Sequence, residues 1–183
     1  MEKIEKIRHS LAHLLGASIL ELYPGSKITL GPAIQNGFYY DVDVNGKIND
    51  ADLEKIENKM KEIIKTWSTF EKKILNKEEA LDFFKNNEYK IELIKEISEK
   101  GEEISVYQSG NFSDLCRGGH IENIKEIEDG SFKLEKIAGA YWRGDEKNKM
   151  LTRIYGLAFE TKKELDDFVF QQEEAKKRDH RKL

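Results

Sequence analysis

The stretch KITLGPAIQNGFYYDVDV, residues 27–44, decides how this chain folds. Asn36-Gly37 is a strong signal for a tight hairpin, because both residues tolerate the left-handed backbone that such turns require. The flanking segments 27–34 and 37–44 then read as antiparallel strands. On the second strand Phe38, Tyr40, Val42 and Val44 share one face, while Tyr39, Asp41 and Asp43 share the other. A helix precedes this hairpin. Ile4, Ile7, Leu11, Leu14, Leu15, Ile19 and Leu22 recur at helical spacing over residues 3–23, and Pro24-Gly25 ends the run.

Beyond the hairpin, Asn49-Asp50 caps a second helix with a single apolar stripe of Leu53, Ile56, Met60, Ile63, Ile64 and Trp67. Asn76 starts a shorter helix that holds Leu81 and Phe84. Residues 103–108 read as a strand, 111–119 as a loop, and strands follow near 131–138 and 150–159. Thr161 and Glu164 form a capping box for a last helix with Leu165, Phe168 and Val169 inward. Helix, hairpin, helices and later strands without βαβ alternation predict an α+β fold, an antiparallel sheet with packed helices.

Composition narrows the function classes. The 183 residues suit one domain, or two lobes. Thirty-one basic residues are outnumbered by 35 acidic ones, so no global positive field draws in nucleic acid, although a local basic patch is compatible with that balance. Cys116 is the single cysteine, which suits a reducing compartment. No apolar run reaches the ~18 residues of a membrane span, and the charged start, Met1 to Lys6, lacks the apolar core of a signal peptide. The expectation is a soluble, cytoplasmic protein with no membrane partner.

Two pairs of residues carry the chemistry. His9 and His13 are four apart on the first helix and share a face, with Gly16 leaving room beside them. Cys116 and His120 are again four apart, but Gly118 and Gly119 between them predict a loop. If the pairs meet, a thiol and three imidazoles form either a tetrahedral zinc set or an acid–base pocket. If they do not, the histidines are incidental and Cys116 is a small buried apolar residue. Spacing alone leaves these open. Ser10 stands where a HExxH metalloprotease carries glutamate, which removes that class.

RHSLAHLLG (8–16), GP (31–32) with NGFYYDVD (36–43), DLCRGGH (114–120), AGAYWRGD (138–145), NKML (148–151), RIYG (153–156) and AKKRDHRK (175–182) together resemble the editing domain of threonyl-tRNA synthetases. The resemblance runs in order along nearly the whole chain. One departure is Gly119, where the family usually has proline, so the backbone before His120 is freer here. The resemblance implies a two-lobed editing domain: one lobe from 1–45 plus 109–160, an insertion at 46–108, and a linker helix at 161–183. It also implies a fragment of a longer synthetase, whose ATP-using, zinc-containing catalytic core is absent. The implied partners are the acceptor end of tRNA(Thr) carrying serine and the rest of the synthetase chain.

Family roles carry over by position. The resemblance makes His9 and Lys90 catalytic: His9 positions or activates water, or polarises the ribose hydroxyl, and Lys90 is a second catalytic group. His13, Tyr40, Asp114, Cys116 and His120 become substrate-binding, with Asp114 accepting from the seryl amine or hydroxyl. By pattern alone Lys90 is one solvated lysine among many, Asp114 a loop cap and Tyr40 a core residue. Tyr141, Trp142 and Arg143 stack on the tRNA end or pack structurally. No metal is obligatory in this reading; zinc is open, with His9, His13, Cys116 and His120 as its candidate ligands. A hydrolytic site is physically reasonable. One methyl group, the difference between serine and threonine, gives a synthetic pocket only ~1–3 kcal/mol of discrimination. Competing expectations are a zinc-stabilised or tRNA-docking domain without catalysis, and editing of alanine tRNA.

Overall fold

The computed structural model describes residues 1–181; Lys182 and Leu183, placed by the sequence reading in the final helix, lie outside the described residues. The elements run α1 (Lys3–Leu22), β1 (Lys27–Ile28), β2 (Ala33–Ile34), β3 (Gly37–Asp43), α2 (Leu53–Ile64), β4 (Glu71–Leu75), α3 (Lys77–Phe83), α4 (Glu88–Glu99), β5 (Ile104–Ser109), β6 (Phe112–Leu115), β7 (Phe132–Tyr141), β8 (Met150–Ala158) and α5 (Lys162–Arg181). All strand pairs are antiparallel. The fold is α+β.

A five-stranded sheet runs β1-β3-β8-β7, with β2 also on β3; a three-stranded sheet runs β4-β5-β6 and takes residues 71–115. Helix α1 is buried at Ile7 and from Ser10 through Ile19. Such burial forces its hydroxyls to bond internally: Ser10 Oγ donates to the Lys6 carbonyl at 2.7 Å and Ser18 Oγ to Leu14 at 2.8 Å. The α1 side chains pack with Phe38, Tyr40 and Val42 of β3 and with the α2 stripe Ile56, Met60 and Ile63 in one core. A second core of Leu75, Ala80, Phe84, Ile94, Ile104 and Val106 lies under the small sheet. Among the described residues no helix is long and apolar enough to cross a membrane.

The hairpin at Asn36 forms, with Asn36 at φ 67°. The single strand expected over 27–34 is instead two short strands. Pro32 has no N–H for the ladder, and Gly31 passes so close to Tyr40 that a Cβ there would lie 2.3 Å from the ring. Three further elements differ from expectation. Residues 112–115, inside the expected loop, form β6 against β5. Strand β4 is almost wholly exposed and charged, so it lacks alternation. Helix α4 has no clear apolar stripe in sequence, because its buried side includes Lys90, a residue type that ordinarily marks the solvent face.

Candidate active site

Helix α1 presents His9 and His13 toward the segment that follows β6, and the two remote pairs meet. One donor atom from each of His9, His13, Cys116 and His120 falls within 4.8 Å of the others. Cys116 Sγ lies 3.4 Å from His9 Nε2 and 3.4 Å from His120 Nε2. The His9 and His120 rings stack with centroids 4.5 Å apart, and Phe70 also stacks on the His120 ring, at 4.5 Å. Gly118 and Gly119 shape the turn that makes this possible, at φ 114° and 93°. Proline is locked near −65°, so the residue usual in the family cannot adopt the backbone seen at Gly119. His9 Nδ1 lies 3.3 Å from the Gly119 carbonyl.

Behind this cluster sits a charged hub centred on Asp114, which β6 carries into the interior. Asp114 Oδ2 accepts from Tyr40 Oη at 2.5 Å and from His13 Nδ1 at 3.0 Å. Lys90 Nζ, from α4, forms an ion pair with Oδ1 at 2.7 Å and donates to the Thr29 carbonyl at 2.6 Å. Beyond the Lys90 contact, Oδ1 has a second lone pair and so keeps accepting capacity. Tyr40, Lys90 and Asp114 are 1–2% exposed and His13 is 4% exposed. The lysine that looks solvated in sequence is thus among the most buried residues of the chain.

Burial alone would neutralise these groups; their mutual contacts oppose it. Burial pushes the Asp114 carboxyl up, but Lys90 and then His13 hold it well below the usual carboxylate range. Burial disfavours the His13 cation, yet Asp114 and the Cys116 sulfur raise His13 to about 9. Burial likewise opposes ionisation of Cys116, and His120, His13 and His9 outweigh it, lowering the thiol to about 4. His120 is lowered by its burial, against the Cys116 sulfur. Burial and Asp114 raise Tyr40 well above the ordinary phenol value, so it remains a donor.

These groups line a cavity of about 400 Å³. His9, His13, Tyr40, Lys90, Asp114 and Cys116 contribute polar lining, as do the charged Glu96, Lys100, Glu103 and Arg117; Leu30, Pro32, Tyr39, Leu93, Ile97 and Leu115 contribute apolar lining. His120 is not among the lining residues and supports His9 and Cys116 from behind. Tyr40 is both core and wall, so the two sequence readings of it are compatible. Three contributors had no clear signal in sequence: the Thr29 carbonyl, Leu93, and Ser105, whose hydroxyl holds the Cys116 carbonyl at 2.5 Å. Trp142 is buried against Tyr89, Arg143 is paired with Glu92 and Glu96, and Tyr141 is 39% exposed; none of the three lines the cavity.

The donor set His9, His13, Cys116 and His120 suits zinc by type. The two 3.4 Å sulfur–nitrogen separations are close to the ~3.5 Å edge of a tetrahedron with zinc-length bonds. His13 Nε2 also lacks a protein partner. The widest spread, 4.8 Å, exceeds that edge, so binding would draw the ligands inward.

The fold and site define a class. Residues 104–155 match the model of the threonyl and alanyl tRNA synthetase second additional domain. Nearly the whole chain is similar to part of several threonine–tRNA ligases. It is 53% identical over 178 residues to the threonine–tRNA ligase of Borreliella burgdorferi strain ZS7, covering 97% of this chain and 30% of that protein. It is 52% identical to that of Borrelia hermsii over the same shares. The Rubrobacter xylanophilus ligase is 50% identical over 182 residues, 100% of this chain and 28% of its own length. The chain therefore spans about 30% of the length of these relatives.

Proposed function

We propose that this chain is the editing domain of a threonine–tRNA ligase and hydrolyses the ester of serine mischarged onto tRNA(Thr). The observation that carries the reading is the convergence of α1, α4 and β6 on one cavity, with a buried Lys90–Asp114 pair beside three imidazoles and a thiol. A seryl group needs only part of about 400 Å³. The apolar part suits the terminal nucleoside of the tRNA, and the polar part the aminoacyl group. This reading implies a cytoplasmic enzyme of translation.

The chemistry follows from the geometry. Water attacks the ester carbonyl, the C–O bond to the ribose breaks, and the departing ribose oxygen takes a proton. His9, half-buried at the rim, positions that water or polarises the ribose hydroxyl beside the ester. Lys90 presents its ammonium to the negative charge that develops on the carbonyl oxygen. Its contact with Tyr40 Oη, at 3.5 Å, is the longest of its partners and the easiest to exchange for substrate. Asp114 Oδ1 and the unpartnered His13 Nε2 are placed for the seryl amine and hydroxyl. Tyr40 and Cys116 shape the floor, with His120 behind them, and a threonyl methyl would have to enter that packed polar end.

A second reading has one observation in its favour: His120, His13 and His9 surround Cys116 and lower its thiol to about 4. In that route the sulfur attacks the carbonyl, tRNA leaves with a proton, and water hydrolyses the thioester. Activity in Cys116→Ala supports the water route, whereas a trapped acyl-enzyme in the parent supports the thiolate. Elemental analysis decides the zinc alternative, since one tightly held ion whose removal ends activity rules out a metal-free mechanism. The primary test is deacylation of seryl- and threonyl-tRNA(Thr). Loss of the seryl ester alone, abolished in His9→Ala and Lys90→Ala, is expected; an inactive parent overturns the proposal.

A further inference from the structure

Helix α4 carries Lys90 but belongs to the smaller core, where Ile94 is buried. What holds it against the large sheet is a separate set of contacts. At its start, Asn87 caps the helix and donates to the Ile28 carbonyl at 2.8 Å, and Tyr89 Oη donates to Asp43 at 2.7 Å. One turn on, Glu92 Oε2 accepts from Trp142 Nε1 at 2.7 Å and from Arg143 Nε at 3.1 Å. Arg143 Nη2 reaches Glu96 at 2.5 Å. Trp142 meets Tyr89 edge-on at 5.2 Å. Arg143 sits at φ 60°, in the left-handed region that costs a non-glycine residue about 1–3 kcal/mol. The turn between β7 and β8 therefore accepts strain at the residue that grips α4.

The helical register makes this grip relevant to chemistry. Tyr89, Glu92 and Glu96 follow one line along α4, turned to Trp142 and Arg143. Lys90, Leu93 and Ile97 follow the adjacent line and wall the cavity, whose lining Glu96 also reaches. We infer that Trp142 and Arg143 are positioning residues: through Glu92 and Glu96 they fix the rotation and approach of α4, and with it the place of Lys90. This inference rests on the hydrolytic reading of the cavity. The ion pairs are half-exposed, and pairs of that kind add less than about 1 kcal/mol to stability. A displacement of the catalytic group of about 1 Å, by contrast, can cost about 100-fold in rate. The clamp thus acts on rate far more than on folding.

Arg143→Gly tests this, because glycine accepts φ 60° without strain while the grip is lost. With seryl-tRNA(Thr), kcat is expected to fall about 10–100-fold with KM unchanged. Amide exchange in residues 88–99 should quicken, and the thermal midpoint should barely move. Arg143→Lys should recover part of kcat. Trp142→Phe, which keeps the packing on Tyr89 but deletes the N–H to Glu92, should lose less and covers the case of a misfolded glycine variant. Parent-like kcat and parent-like α4 exchange in Arg143→Gly overturn the inference, as does a rise in KM alone, which would mean contact with tRNA instead. An inactive parent overturns the reading of the cavity; α4 exchange then still decides whether the clamp positions the helix.

Discussion

Lys90 Nζ and Asp114 Oδ1 lie 2.7 Å apart with both side chains 2% exposed, one supplied by α4 and the other by β6. Removing one member of such a pair leaves the other charge buried and uncompensated, at a cost of about 3–5 kcal/mol. Lys90→Met should therefore unfold at lower urea and lose deacylation. Adding Asp114→Asn should restore part of the stability but none of the activity, a coupling that a double-mutant cycle reads directly. Additive losses would show that the pair is not the unit.

Acid sensitivity follows from the same carboxylate. Asp114 titrates below its ordinary range in the folded protein, so it stabilises fully above the unfolded carboxylate pKa of about 4 and progressively less as pH falls through the folded value. The parent should lose stability below about pH 4 more steeply than Asp114→Asn. Equal slopes in acid urea titrations would contradict the folded-state assignment.

Cys116 offers a kinetic check. An ordinary thiol near pKa 8.5 alkylates about 100-fold more slowly at pH 6 than at pH 8. With the thiol lowered to about 4, the chelator-treated protein should react with iodoacetamide at nearly the same rate across that range. A rise approaching tenfold per pH unit would place the proton on sulfur.

Gly31→Ala probes the wall built on Tyr40. The added methyl would sit 2.3 Å from the Tyr40 ring, which Gly16 of α1 also approaches. The ring must shift, dragging the hydroxyl from Asp114, at an overpacking cost of about 1–3 kcal/mol. Both the thermal midpoint and the deacylation rate should drop. Parent-like activity would separate the Tyr40 hydroxyl from the chemistry.

Periodicity made α1, the Asn36 hairpin, the α2 stripe and the late strands readable, because each is a local agreement between spacing and side-chain type. The elements that escaped, β4, β6 and α4, break that agreement. Strand β4 buries almost nothing, β6 alternates with serine and aspartate, and α4 turns a lysine inward. The sequence by itself determined that His9 and His13 share a face and that the CRGGH segment is a loop, since both are short-range consequences of backbone geometry. Only the tertiary structure decided that these segments lie within contact distance, and that Lys90 is buried beside Asp114 instead of solvated. Contacts between residues a hundred positions apart depend on how α1, α4 and β6 pack, and a charge can be buried only where another element brings its counter-ion.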